Sequence, residues 1–188
     1  MDVFKHNQAA WNAEARAGER WSTPSSEAAL AEARAGRPAI YLTPNRPVPA
    51  AWLGPLSGLE VLALGSGGGQ QAPLLAAAGA RVLSFDASIE QLKLDLVTAK
   101  RAGHPLRCVL GDMADLSALL SNYFDLVVNP VSTVFLPEVR SVWREVARVL
   151  KPGGRLLTGV MNPAFFLFDH DPLPARGTTR GALSPANR

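Results

Sequence analysis

Five short apolar runs, at residues 60–64, 81–85, 106–110, 124–129 and 155–161, alternate with segments of helical periodicity, and this alternation constrains the fold more than any other feature of the chain. Runs this short, apolar at most positions, are what strands look like when both faces of a sheet are covered, the habit of parallel strands. Parallel neighbours need a crossover long enough to hold a helix, and each gap between the first, second and third runs and before the last supplies one. Ser88 and Gln91 form a capping box that opens a helix with Ile89, Leu92, Leu96 and Ala99 on its apolar face, closed by Gly103. A helix from about Pro137 carries Val139, Val142, Val146 and Val149 on one stripe and ends at KPGG. The expected fold is α/β, a doubly wound, Rossmann-like parallel sheet.

Residues 1–59 differ in texture. Thr23-Pro24 is expected to start a helix through SSEAALAEARAG that stops at Gly36, and the proline-rich stretch 37–52 is expected to be an irregular strap. The chain thus divides into N-terminal helices and strap (1–59), a strand–helix domain (60–163), and an apolar turn with a polar, poorly ordered tail (164–188). At 47% hydrophobic and 19% charged residues, with no apolar run near the roughly 20 residues of a membrane helix, it reads as soluble. The start MDVFKHNQ has no apolar signal region, so a cytoplasmic protein is expected. One cysteine, Cys108, allows no internal disulfide and no thiol metal cluster, and it is placed in the core. A net charge of +3 without a dense basic run argues against a nucleic-acid partner.

In such a sheet the ligand sits beyond the carboxyl ends of the strands, so the residues following each run are the candidates. After the first comes VLALGSGGGQQ (61–71), where Gly65, Gly67 and Gly69 let the backbone turn tightly and approach a ligand, with the next helix start as a seat for an anion. After the second comes Asp86, placed to accept both hydroxyls of a ribose; after the third, Gly111-Asp112-Met113, where a carboxylate can take an exocyclic amine and an apolar side chain can cover a purine. Each alone has a plain reading: a turn, a surface carboxylate, a cap on the turn at 115–119. Their recurrence at three successive strand ends points to a cofactor carrying a nucleoside.

With these motifs, residues 60–163 resemble the class I S-adenosylmethionine (SAM)-dependent methyltransferases, especially those acting on small molecules. VLALGSGGG is similar to their glycine loop, VLSFDAS to their acidic loop, GDMADLS to their adenine-contacting segment, and FDLVVNPV with REVARVLKPGGRLLTG to the fourth strand and the following helix–strand unit. The resemblance implies strand order 3-2-1-4-5 and SAM as cofactor. It places Gly65, Ser66, Gly67 and Gly69 along the methionine part, Asp86 and Ala87 at the ribose with Gln91 beside it, Asp112 and Met113 about the adenine, and the Asn129 carbonyl near the amino group.

Two departures stand out. Ala63 occupies the place where the family carries an acid two residues before the first glycine, and no further strand-like run follows Met161, so the domain reads as truncated and strand five as an exposed edge open to self-association. Methyl transfer of this kind needs no fixed catalytic motif, and the catalytic residue and methyl acceptor stay unassigned. Asn129-Pro130-Val131-Ser132 lacks the second proline and aromatic of an NPPY motif; Asp169-His170-Asp171, His6 and His104 read as surface groups; Trp11 and Trp21 are expected to pack against the sheet, with a lid as the second option. A SAM binder without efficient catalysis and an NAD-dependent oxidoreductase remain as alternatives, although the latter gives no role to Asp112-Met113 and would want a small residue at Gln70.

Overall fold

The computed structural model describes residues 2–44 and 46–167. The N-terminal part comprises α1 (Val3–Ala17), a 3₁₀ turn at Arg20–Ser22, α2 (Glu27–Arg34), the antiparallel pair β1 (Tyr41–Thr43) and β2 (Arg46–Pro47), and one turn of helix α3 (Ala50–Leu53). There follow β3 (Glu60–Leu64), α4 (Gln71–Ala77), β4 (Arg81–Asp86), α5 (Ile89–Ala102), β5 (Arg107–Leu110), β6 (Phe124–Asn129), α6 (Arg140–Val149) and β7 (Leu150–Thr158). These last five strands make one parallel sheet in the order β5-β4-β3-β6-β7, the expected 3-2-1-4-5 arrangement.

The sheet separates two apolar cores. On one face, Val61, Ala63, Val82, Leu126 and Val128 meet Leu30 of α2, Leu74 and Leu75 of α4, and Ile40, Leu42, Val48 and Leu53 of the strap. On the other, Leu62, Leu64, Leu83, Phe85, Phe124 and Val127 meet Leu116, Leu119 and the α6 stripe Val142, Val146 and Val149. Alternate residues of β3 thus serve opposite cores, and all five are buried, which is why that strand shows no polar alternation.

Several expectations need correction. Thr23-Pro24 does not start a helix: Ser25 donates its amide to the Gly69 carbonyl (2.8 Å) and its hydroxyl to that of Gln70 (3.1 Å), which holds the segment extended, and Ser26 caps α2 instead. The strap contains the short β1–β2 pair and α3, since Val48 donates to Ile40 (2.7 Å) and no proline occupies that donor position. The inward face of α5 is turned from the one expected: Ile89 and Leu96 are exposed, while Gln91, Leu92, Asp95, Thr98, Ala99 and Ala102 are buried. That side faces the glycine loop, whose backbone donors call for polar partners. Val139 precedes α6 and is exposed, leaving Val142, Val146 and Val149 as its core stripe. Cys108 is half-buried, because β5 is an edge strand. β7 begins before the KPGG turn, with Leu150 paired to Phe124, and a register shift absorbs the turn before Arg155 pairs with Leu126.

Among the described residues β7 pairs with β6 alone. The AFFLF segment enters a 3₁₀ turn at Pro163–Leu167, whereas Asp169-His170-Asp171 and the tail 171–188 lie outside the described residues. No helix among the described residues is long and apolar enough to cross a membrane.

Candidate functional site

The carboxyl ends of β3, β4, β5 and β6 converge on the glycine loop. Gly65 (φ +61°) turns the chain out of β3 and donates its amide to the Phe85 carbonyl at the end of β4 (2.8 Å). A Cβ at Gly65 would lie 2.9 Å from Ser132 Oγ and 3.1 Å from Met113 Cε, closer than side chains tolerate, so the loops after β5 and β6 close on this glycine. Gly67 (φ +69°) faces the Trp21 carbonyl, and Gly69 (φ +74°) lies against Pro24 and Thr98.

Asp86 ends β4 and is 9% exposed. Its Oδ1 accepts the Ser88 amide (2.8 Å), and the amides of Gly67 and Ala87 also stabilise its charge, but burial outweighs them and pushes the carboxyl up to about 6. The carbonyl of Ala87 accepts from Gln8 Nε2 of α1 (2.9 Å), and Ser88 Oγ donates to Asn12 (2.7 Å), so α1 is tied to the acidic loop. The next strand end is coupled to the same place, for the Gly111 amide donates to the Asp86 carbonyl (3.0 Å). Asp112 is half-buried; its Oδ1 accepts the Ala114 amide (2.9 Å) and its carbonyl the Asp115 amide (2.9 Å), so it does cap its turn as the plain reading had it. Met113 packs on the core beneath.

Asn129, fully buried at the end of β6, ties three strand ends together. Its Nδ2 donates to the Leu64 carbonyl (2.8 Å) and to Ser132 Oγ (2.8 Å), and its Oδ1 accepts Thr158 Oγ1 (3.1 Å). Its own carbonyl accepts the Gly159 amide (3.0 Å). Gln91 lies under Gly68: its Nε2 donates to Ser22 Oγ (2.8 Å), and its Oε1 is buried without a partner among the described residues. The structure therefore brings Gly65, Ser66, Gly67, Gly69, Asp86, Ala87, Asp112, Met113 and Asn129 to one rim, with Gln91 beneath the loop.

Trp11 and Trp21 belong to neither core. Trp11 stands edge-on to Phe135, with ring centroids 5.2 Å apart, and Trp21 is 43% exposed with the Arg20 guanidinium over its ring. The reason is that α1 has no buried residue and lies across the rim, with Asn7 donating to the Phe135 carbonyl (2.7 Å).

The largest omission of the sequence reading is Asp95. It is wholly buried on α5; its Oδ2 accepts Ser84 Oγ (2.6 Å) and Ser66 Oγ (2.9 Å), and its Oδ1 accepts the Gly69 amide (2.7 Å). Burial pushes its carboxyl up to about 7 against those three donors, with a small further push from Asp86. A usable signal was present: Asp95 is one turn beyond Gln91, on the same side of the helix.

Residues 62–158 match the family model described as "Methyltransferase domain". The chain is 44% identical to an uncharacterized methyltransferase, YbaJ, of Bacillus subtilis, over 89% of this chain and 66% of that protein. It is 39% identical to the cypemycin N-terminal methyltransferase of a Streptomyces species, over 60% of this chain and 46% of the relative, so the chain spans only about half to two thirds of the curated relatives it matches. A solved SAM-dependent methyltransferase of Mesorhizobium loti superposes with a TM-score of 0.53 at 26% identity, covering 62% of this chain and 53% of that one. With the parallel sheet in methyltransferase order and the glycine and acidic loops at its rim, these matches show that the chain belongs to the class I SAM-dependent methyltransferase family.

Proposed function

We propose that this protein transfers the methyl group of SAM to a small-molecule acceptor, with the cofactor laid along the rim formed by β3, β4 and β5. The observation that carries the reading is the convergence of the glycine loop, Asp86 and Asp112-Met113 at three neighbouring strand ends. These residues fit the group: Gly65, at positive φ, turns the chain out of β3 along the rim, and Asp86 presents a buried carboxylate whose charge three backbone amides support. Gly65, Ser66, Gly67 and Gly69 would line the methionine part, and Asp86 would accept the ribose hydroxyls with Ala87 and Gln91 nearby. Asp112 would take the exocyclic amine, Met113 would cover the purine, and Asn129 would fix the wall beside the amino group.

SAM supplies an electrophilic methyl on a sulfonium, so the chain's own work is alignment and exclusion of water. α1, with Gln8, Asn12 and Trp11 on the rim, supplies cover on the solvent side. Asn129, Ser132 and Thr158 form a hydrogen-bonded cluster at the ends of β6 and β7, beside the proposed cofactor rim. A small-molecule acceptor and a cytoplasmic location belong to the same proposal. One relative's name specifies a peptide N-terminus, so an acceptor screen should hold amines as well as hydroxyl compounds.

Calorimetric titration of SAM, S-adenosylhomocysteine and NAD into the full chain tests the reading. SAM and its demethylated product should bind and NAD should not. Asp86→Ala should cost about 1–3 kcal/mol of SAM affinity through unpaired ribose hydroxyls. Tight NAD binding, or undiminished SAM binding by Asp86→Ala, would overturn the assignment. Radiolabel transfer from SAM to a screened acceptor separates an enzyme from a binder.

A further inference from the structure

We propose that Asp95 is a positioning residue that holds the glycine loop in its cofactor-accepting shape, acting through Ser66 and Gly69, and that this hold depends on its being ionised. The inference rests on the reading of the rim as a SAM site. Asp95 is a carboxylate with no cation beside it among the described residues, buried under the one loop that the proposed cofactor lines. All three of its hydrogen-bond donors belong to that loop or to the strand next to it: the Ser66 hydroxyl and the Gly69 amide at two points of the loop, and the Ser84 hydroxyl on β4. Two attachments fix the loop's span, whereas one would leave Gly67 and Gly68 free to swing.

The layer into which the carboxylate projects explains why the acid comes from a helix. Ser84 is the register partner of Ala63 on β3, so both strand residues face the α4–α5 side, where Ala63 contributes only a methyl. Ala63 brings no polar group to this side of the sheet, and the carboxylate there reaches in from α5.

Ionisation decides how many of the three donors can be served. As a carboxylate, Asp95 accepts from all three. Protonated, one oxygen must itself donate, so one of the two hydroxyls has to turn and accept. The Ser66 hydroxyl already lies 3.0 Å from Ser84 Oγ and 3.3 Å from the Gly67 carbonyl, so it has other partners to turn to, and the loop then loses one of its two attachments. The titratable groups facing Asp95 are Asp86 at the end of β4 and the Cys108 thiol of β5, which burial pushes up to about 12 and which stays neutral. α4 presents none, and the charge that α1 brings to α5 is Arg16, paired with Glu90 in its first turn. Burial pushes the Asp95 carboxyl up to about 7, so both forms are populated near neutral pH.

The test is the affinity of the full chain for S-adenosylhomocysteine, titrated calorimetrically from pH 5.5 to 8.5, for the wild type, Asp95→Asn and Ser84→Ala, with urea unfolding of each as the check on folding. The wild type should bind more weakly as pH falls, with a break near 7. Asp95→Asn should bind about tenfold more weakly at pH 8, the worth of one charge-assisted hydrogen bond. It should also lose the break near 7 while keeping any lower one due to Asp86. The ligand's own titration is common to all three proteins and cancels in the comparison. Ser84→Ala removes a donor that does not belong to the loop but helps hold the Asp95 charge, so its break should move above 7 while it keeps the pH-dependent affinity that Asp95→Asn lacks. Equal affinities and parallel pH profiles for wild type and Asp95→Asn would overturn the proposal while leaving the SAM site intact. Absence of binding by the wild type at every pH would overturn the SAM site itself.

Discussion

Asp95 also makes a prediction about stability that needs no ligand. Folding carries this carboxyl from its ordinary value of 3.8 to about 7. Between those values the folded chain holds a proton that the unfolded chain has released, so stability falls as pH rises, by about 1.4 kcal/mol per pH unit for one group. From pH 5 to 8 the loss stops growing above 7 and amounts to about 3 kcal/mol. Asp86, pushed up to about 6, adds about 1 kcal/mol over the lower part of the same interval. Paired surface carboxylates act elsewhere. Asp125 beside Lys151 and Glu145 beside Arg148 are held below their ordinary values, so their contribution is present above those values and lost only in more acid solution. Urea unfolding followed by tryptophan fluorescence should therefore show the wild type less stable at pH 8 than at pH 5 by about 4 kcal/mol, and Asp95→Asn by only about 1 kcal/mol. At pH 8 the variant should be the more stable protein. Parallel curves for the two proteins would refute the account of Asp95 as a buried, ionised group.

Three further outcomes follow from the rim and the sheet edge. Asp112→Ala should weaken SAM and adenosine alike, by about 1–2 kcal/mol, and leave any methionine affinity unchanged; equal weakening of all three in competition titrations would mean a collapsed turn instead. A Cβ at Gly111 would lie 2.4 Å from Cζ of the buried Phe85, so Gly111→Ala must move that ring and should cost about 1–3 kcal/mol in urea unfolding, while an unchanged midpoint would show the site to be looser than described. The edge of β7, unpaired among the described residues, and exposed Val160 lead us to expect self-association of the 188-residue chain, seen by light scattering as a mass above the 20.0 kDa monomer; a stable monomer with both edges of β7 protected in hydrogen exchange would remove that expectation.

The parallel sheet was legible because its signal is local and redundant. Each strand is an apolar run bounded by a turn, and the order of the motifs carried the strand order with it. What escaped were the places where one segment's conformation is fixed by a distant one. Thr23-Pro24 has the local chemistry of a helix start, yet Ser25 pairs with the glycine loop more than forty residues away and keeps the segment extended. The α5 face was misjudged for a related reason. Apolar periodicity assumes that a helix buries only apolar surface, and α5 packs partly against a loop whose backbone donors need acceptors.

The same distinction governs the site. Gly65, Asp86, Asp112 and Asn129 could be placed at the candidate rim because each stands at or just past a strand end, and strand ends can be read in order. Asp95 reaches the site from the middle of a helix, so position in a motif says nothing about it, and only its place on the buried stripe would have marked it. Its energetics make the omission informative. A buried carboxylate without a cation costs stability over the neutral pH range, and an asparagine of nearly the same shape would avoid that cost. Local consistency of fold and sequence breaks here and in few other places in the domain, and such breaks concentrate where a site has to be held in a shape the bare backbone would not keep. The carboxylate is directed at the glycine loop by both oxygens, which places the cost and the proposed cofactor contact in the same few residues.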